Sequence, residues 1–417
     1  MMIPYGYKQT EVGVIPEDWE LLLLGKTAKV YRGGSPRPIQ SYITNSSNGV
    51  NWIKIGDVRE NDKYIYSTQE KIRPDGISMS REVHIGDFIL SNSMSFGRPY
   101  ILRSSTCIHD GWPTIQEYGP VFSTEYLYYL LSSKIIYKQY IGMAAGSSVK
   151  NLNKDKVSSL MVICPPLPEQ RRIAEALSDV DGMISSLEKL VAKYKSIKTA
   201  CLQQMFPQNG ETVPRMRLPG FTGAWEQRKL GDIADIVGGG TPSTGNQSYW
   251  DGDIDWYAPA EIADQIYANS SQKKITGLGY ENSSAKMLPP GTVLFTSRAG
   301  IGKTAILTRK GCTNQGFQSI VPHRGELDSY FIFSRTEELK RYGELVGAGS
   351  TFVEVSGKQM AVMELMMPPT MREQQTIGDF FQQLDHLITL HQRKLEKVQK
   401  IKQGMMQQLL TGKIRLV

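Results

Sequence analysis

Cysteine is scarce in this 417-residue chain, with only Cys107, Cys164, Cys201 and Cys312. None belongs to a Cys-x-x-Cys pair and no histidine stands at zinc-ligand spacing from one. This argues against a disulfide framework or a structural zinc site and fits a reducing compartment. Long hydrophobic runs are missing as well. The Leu21–Leu24 run is four residues, far below the roughly 20 apolar residues of a membrane span. Met1 to Glu20 carries Pro4, Lys8 and several acids without a continuous apolar stretch, so it does not read as a signal peptide. A soluble, cytoplasmic protein is expected.

The signatures of catalysis are also missing. Gly-x-Gly pairs starting at Gly238, Gly277, Gly300 and Gly347 meet Ser243, Asn282, Ala305 and Phe352 where a dinucleotide loop needs its third glycine. Ser297 to Thr304 ends like a phosphate loop in Gly302-Lys303-Thr304 but has Ser297 where that loop needs glycine. The three Pro-Pro pairs lack the Asn or Asp before and the aromatic after that an amino methyltransferase of DNA carries. Asp328 with Glu338 and Lys340 faintly suggests a metal-dependent nuclease triad, but the leading Pro-Asp is absent and the stretch reads as a solvated helix face. The five histidines form no i, i+4 ligand pair, and position alone assembles no Ser-His-Asp set. Neither a catalytic residue nor a metal ligand is expected.

What is present is an ordinary globular composition with a formal net charge of +7. A basic balance favours a polyanionic partner, because Lys and Arg neutralise phosphates and release counterions. The dominant feature is an internal repeat, which defines the architecture before any single motif does. Trp19 and Gly25 recur as Trp225 and Gly231; Gly33-Gly34-Ser35-Pro36 recurs as Gly239-Gly240-Thr241-Pro242. Trp52 with Asp57 matches Trp256 with Glu261, and Gly86 to Ile101 aligns with Gly291 to Ile306. Cys107 and Gly111 match Cys312 and Gly316, while Gly146-Ser147-Ser148 matches Gly349-Ser350-Thr351.

Each unit opens with short apolar runs broken by Gly, Pro, Ser and Asn. Phe88-Ile89-Leu90 and Val293-Leu294-Phe295 follow turns and predict buried strands. Helices are predicted over 125–140 and 329–346, giving a mixed α/β domain. Each unit closes with a long helix begun by prolines, with Glu169 or Glu373 at the positive end of its dipole. Ile173, Leu177, Val180, Ile184 and Leu187 recur at spacings of four and three, as do Ile377, Phe381, Leu384, Ile388 and Leu395. That is a coiled-coil seam, interrupted at Lys198 in one helix and at His391 and Lys402 in the other. About 40 residues make a rod of about 60 Å. An antiparallel pair of these helices is expected, with the two domains related by a pseudo-two-fold axis; each helix packing on its own domain is the alternative. The expected division is 1–165, 166–206, 207–368 and 369–417.

Together these residues make the chain similar to the specificity subunits of Type I restriction-modification enzymes. The opening from Tyr7 to Trp19, reading Tyr-Lys-Gln-Thr-Glu-Val-Gly-Val-Ile-Pro-Glu-Asp-Trp, resembles that family's start. Pro165 to Ile173 and Pro368 to Ile377, each with its Glu-Gln pair, look like the starts of its two shared helical regions; Gln375-Thr376 stands where the first has Arg171-Arg172. The ending from Leu409 to Arg415 is similar too. The resemblance implies two α/β target recognition domains, each reading half of a split site on double-stranded DNA. It implies that the helix pair is a spacer and, along the seam residues, a docking surface for two methyltransferase subunits, which restriction and translocase subunits join. S-adenosylmethionine, ATP and magnesium then belong to those partners, and this chain holds no cofactor.

Residue type and loop position nominate DNA contacts, since Arg and Lys reach guanine, Asn and Gln reach adenine, and hydroxyls hold phosphates. In the first domain these are Arg37, Lys54, Asn92, Arg98, His109, Ser147 and Ser148. In the second they are Thr241, Tyr257, Arg298, Lys303, Gln315, Ser350 and Thr351. Repeat-equivalent positions suit backbone or fold roles, whereas divergent loops suit base reading, as at His109-Asp110-Gly111-Trp112 against Asn314-Gln315-Gly316-Phe317. The competing readings are a methyltransferase or nuclease with unrecognised motifs, and a scaffold that only assembles other proteins.

Overall fold

The computed structural model describes residues 3–59, 62–92, 97–144, 152–208, 210–263, 265–298, 300–348 and 354–417. The chain forms two compact units, Met1–Leu187 with Lys394–Val417, and Glu188–Arg393. Their boundaries fall inside the two long helices, Leu167–Gln204 and Met371–Leu409, so they cut across the four segments expected from sequence.

In the first unit a five-stranded sheet runs in the order Lys29–Arg32, Pro113–Gln116, Phe88–Leu90, Pro99–Leu102, Tyr64–Ile65. A second sheet runs Ile43–Thr44, Glu70–Ile72, Val50–Ile53, Thr106–Ile108, Arg81–Val83. In the second unit the first sheet recurs as Ala234–Gly238, Gln318–Pro322, Val293–Phe295, Thr304–Leu307, Tyr267–Ala268. The second is reduced there to Lys273–Ile275, Trp250–Tyr257 and Cys312–Thr313. The two central strands predicted from sequence are fully buried, each such aliphatic or phenyl side chain contributing about 1.5–3 kcal/mol. The paired tryptophans, Trp19 with Trp225 and Trp52 with Trp256, are core residues. Gly97 and Gly302 close equivalent turns at φ +78° and +92°, a backbone that side chains rarely adopt.

The shorter helices differ from expectation. The single helix over 125–140 is two, Thr124–Leu131 and Lys134–Ala144. The Ser132 hydroxyl donates to the Tyr128 carbonyl and the Ser133 amide reaches back only three residues, to Leu130, the local competition by which serine ends helices. The helix over 329–346 is likewise divided into Ser329–Ser334 and Thr336–Gly347. At that break Arg335, only 5% exposed, donates to the Met366 carbonyl and to Glu338.

The long helices pair in both units, antiparallel in each. In the first, Lys402 bridges to Asp181 at 2.6 Å while Arg415 reaches Glu169 at 2.7 Å, so numbers rise on one segment as they fall on the other. In the second, Lys198 bonds Asp385 at 2.6 Å and His391 stacks on Tyr194 with ring centroids 5.6 Å apart. The residues that interrupt the seam are thus its polar cross-links. A tyrosine of the adjoining domain joins each ion pair: Tyr129 donates to Asp181 and Tyr330 to Asp385. Of the seam residues, Ile173, Leu177, Leu187, Ile377, Phe381, Leu384 and Ile388 are buried, and Val180, Ile184 and Leu395 half-buried. Ile173 and Leu177 sit in the same core cluster as the first domain's Trp19 and Tyr126; Ile377, Phe381 and Leu384 sit with Trp225 and Phe331. The helices therefore pack on each other and on their own domains at once. Seven of the ten seam residues expected to dock a partner are thus covered within the chain itself.

Candidate nucleic-acid interface

Two motifs fasten each domain to its helices. Glu169 is 3% exposed and accepts from Trp19 Nε1 at 2.9 Å and from the Arg415 guanidinium at 2.7 and 2.8 Å. Burial acts against its ionisation, yet the bonds from Arg415 and Trp19 outweigh it and hold the carboxyl below its ordinary range. Glu373 repeats this with Trp225 at 3.3 Å and Arg217 at 2.8 Å. Gln170 and Gln374 follow, each accepting a backbone amide (Ser123, Asp328) and donating to a loop carbonyl (Val121, Glu326). The Glu-Gln pair is therefore a structural clasp.

In the first unit three nominated residues come together. Ser35 to Gln40, Trp52 and His109 line one depression, and Lys54 to Asp57, Gln69 and His109 line a neighbouring one. His109 is common to both. Its Nδ1 accepts from the Gly111 amide at 2.9 Å, so Nε2 carries the proton of the neutral ring and faces Asp110 Oδ1 at 3.0 Å. Asp110 also accepts from Ser35 Oγ at 3.1 Å and from Arg37 Nη2 at 3.2 Å. Burial opposes ionisation of Asp110, but His109, the Ser35 hydroxyl and Arg37 hold its carboxyl below the usual value. Arg37 remains 81% exposed. Lys54 pairs with Glu70 at 2.5 Å.

The second unit repeats the scaffold with other groups. Asn314 Oδ1 accepts from the Gly316 amide at 2.8 Å, in the place of His109 and Gly111. Thr241 Oγ1 donates to Gln315 Oε1 at 2.5 Å, in the place of Ser35 and Asp110. The turn backbones are held alike. The amides of His109 and Asn314 bond Ile53 and Tyr257 carbonyls, and those of Gly34 and Gly240 bond Ile108 and Thr313. A Cβ on Gly33 would lie 2.0 Å from the His109 carbonyl, and one on Gly239 2.0 Å from that of Asn314, so both positions require glycine.

Other nominated residues lie elsewhere. Asn92 Oδ1 accepts the Leu152 amide at 2.6 Å, which ties one loop to another. Arg98 is half-buried, its amide donating to Ser91 Oγ at 3.0 Å. Arg298, about half exposed, pairs with Glu354 at 2.7 Å, and Lys303 is exposed. Tyr257 is corrected: it is 2% exposed and packs in a core cluster with Leu294 and Phe317, so it cannot touch DNA. Burial pushes its hydroxyl up to about 12. Ser147, Ser148, Ser350 and Thr351 lie outside the described residues. Sequence reasoning placed Asp110 and Asn314 in the divergent turns without nominating them as contacts, and did not nominate Ser35; the signal available was their alignment with Gln315, His109 and Thr241.

The suggestion of a nuclease triad dissolves, because Asp328 caps a helix by accepting the Tyr330 and Phe331 amides and Glu338 is bound by Arg335. Among the described residues there is no cluster of three His, Cys, Asp or Glu arranged to hold a metal.

Comparison with known proteins agrees with this architecture. The family described as Type I restriction modification DNA specificity domain matches twice, at residues 16–198 and 223–400. A Methanocaldococcus jannaschii protein assigned as the MjaX specificity subunit of a type I restriction enzyme is 27% identical over 99% of this chain and 97% of its own length. The MjaIX specificity subunit of the same organism is 36% identical over 42% of this chain and 41% of its own. The crystal structure of a Type I restriction-modification S subunit from M. genitalium shares the fold, with a TM-score of 0.59 at 13% identity over 94% of this chain and 96% of that one. With the two matched segments taking in both repeats, the chain belongs to the Type I restriction-modification DNA specificity family.

Proposed function

We propose that each recognition domain reads one half of a split, asymmetric DNA site, and that the chain thereby gives its complex a single target. The observation that carries this reading is the pair of equivalent turns at 109–111 and 314–316. Their backbones are held by the same bonds, while His109 and Asp110 in one stand where Asn314 and Gln315 stand in the other. One scaffold displaying two sets of donors and acceptors suits two different base sequences. The outer faces of the long helices, with Met183, Leu390 and Ile401 exposed, dock two methyltransferase subunits, and restriction subunits join that core. S-adenosylmethionine, ATP and magnesium act in those partners, where the methyltransferase takes the target adenine out of the stack. The complex works in the cytoplasm; among the described residues no helix is long and apolar enough to cross a membrane.

The test is genome-wide mapping of methylated adenine in cells carrying the cognate methyltransferase, with and without this chain. One split, asymmetric motif that appears only with the chain is expected. Two identical half-sites, or methylation indifferent to the chain, would contradict the reading, the latter in favour of a scaffold that does not read DNA.

A further inference from the structure

We propose that Arg37, held by Asp110, reads a guanine in the first half-site, and that Gln315, held by Thr241, reads an adenine at the equivalent place in the second. This rests on the reading of both domains as DNA readers and adds the base each turn selects.

The argument starts from what the shared scaffold leaves free. In the first domain both carboxylate oxygens of Asp110 are engaged, Oδ1 by Ser35 and His109 and Oδ2 by Arg37. An engaged carboxylate offers little to a base, but it aims the guanidinium. Only Nη2 of Arg37 is taken by this bond, on a side chain 81% exposed. The guanidinium therefore keeps a fork of N–H donors, which matches the two acceptors, O6 and N7, that guanine presents in the major groove. Fixing the side chain beforehand reduces the rotamer entropy lost on binding.

In the second domain that guanidinium has no counterpart, since Ser243 follows Thr241-Pro242 where Arg37 follows Ser35-Pro36. The position of Asp110 is filled by Gln315, exposed and neutral. Its Oε1 accepts from Thr241, which orients the amide and leaves one oxygen lone pair and both N–H donors. One acceptor beside one donor is the pattern that meets N6 and N7 of adenine. The two substitutions, Asp110 for Gln315 and Arg37 for Ser243, thus change the reading together: an acid is present where there is an arginine to aim.

The experiment uses the full chain in complex with its methyltransferase and a DNA library randomised across both half-sites. Arg37→Lys keeps the charge but loses the fork. It should relax guanine preference at one position of the first half-site by roughly ten- to a hundred-fold, with the second half-site read as before. Asp110→Asn should relax the same position. Gln315→Ala should relax one adenine position of the second half-site alone. The unaffected half-site in each variant reports that the protein is folded. A uniform loss of affinity with base preference intact would mean a phosphate contact and overturn the proposal, as would a preference at these positions for other bases or one that the variants leave unchanged. A parent complex with no split motif would instead remove the underlying reading, and this inference with it.

Discussion

Glu169 and Glu373 show how much a single side chain holds here. Glu169 joins Trp19 of the first domain, the start of the central helix and Arg415 beyond the C-terminal helix. Replacing it as Glu169→Gln removes the charge-assisted bonds and leaves Arg415 with Asp18, which should cost about 1.5–3 kcal/mol at neutral pH. Its carboxyl is depressed in the folded chain, so its contribution is present above the ordinary carboxylate range and lost as pH falls through the folded value. The gap between the denaturation midpoints of parent and variant should therefore be fullest near neutrality and shrink below about pH 4; a gap that widens on acidification would refute the assignment. The sequence suggested negative charge at a helix start. It did not reveal Arg415, because that partner lies 246 residues away in the chain and no local pattern marks it. Tyr257 was misjudged for a related reason. Alternation along a strand turns it away from Trp256, but here both faces are covered, Trp256 by one cluster and Tyr257 by another.

At the scale of elements, the long helices were legible because their apolar spacing is sustained over many turns. The breaks in the shorter helices were not, since hydrophobic period runs straight through Ser132-Ser133 and Arg335. Lys198 and Lys402 looked like flaws in a seam until their partners, Asp385 and Asp181, came into view. Each ion pair is joined by a domain tyrosine, so it fixes both the register of the helices and their seat on the domain. Asp385, 7% exposed, faces Lys198 and the Tyr330 hydroxyl. Asp385→Ala leaves both without their acceptor and should destabilise the chain by about 2–4 kcal/mol, a partly solvated case of a broken buried pair. Urea denaturation of the variant checks this; a change under about 0.5 kcal/mol, the scale of an ordinary surface substitution, would show that the pair is incidental.

Over the whole molecule, the repeat was the most informative thing in the sequence. It announced two equivalent domains, two equivalent helices and the places where they diverge, and the strand order of the principal sheet repeats accordingly. The chain is a specificity subunit and not the catalytic member of its system. The candidate site was legible only in part: Arg37, Lys54 and His109 do come together, and the aligned turns set Asp110 against Gln315, but that Asp110 binds Ser35, His109 and Arg37 is visible only in three dimensions. The central claim is that equivalent domains on one scaffold read different sequences. It is tested most directly by a chain whose second recognition domain is replaced with a copy of the first, between unaltered long helices. Mapping adenine methylation directed by that chain should return a motif with two copies of one half-site. The parent motif, unchanged, would contradict the account.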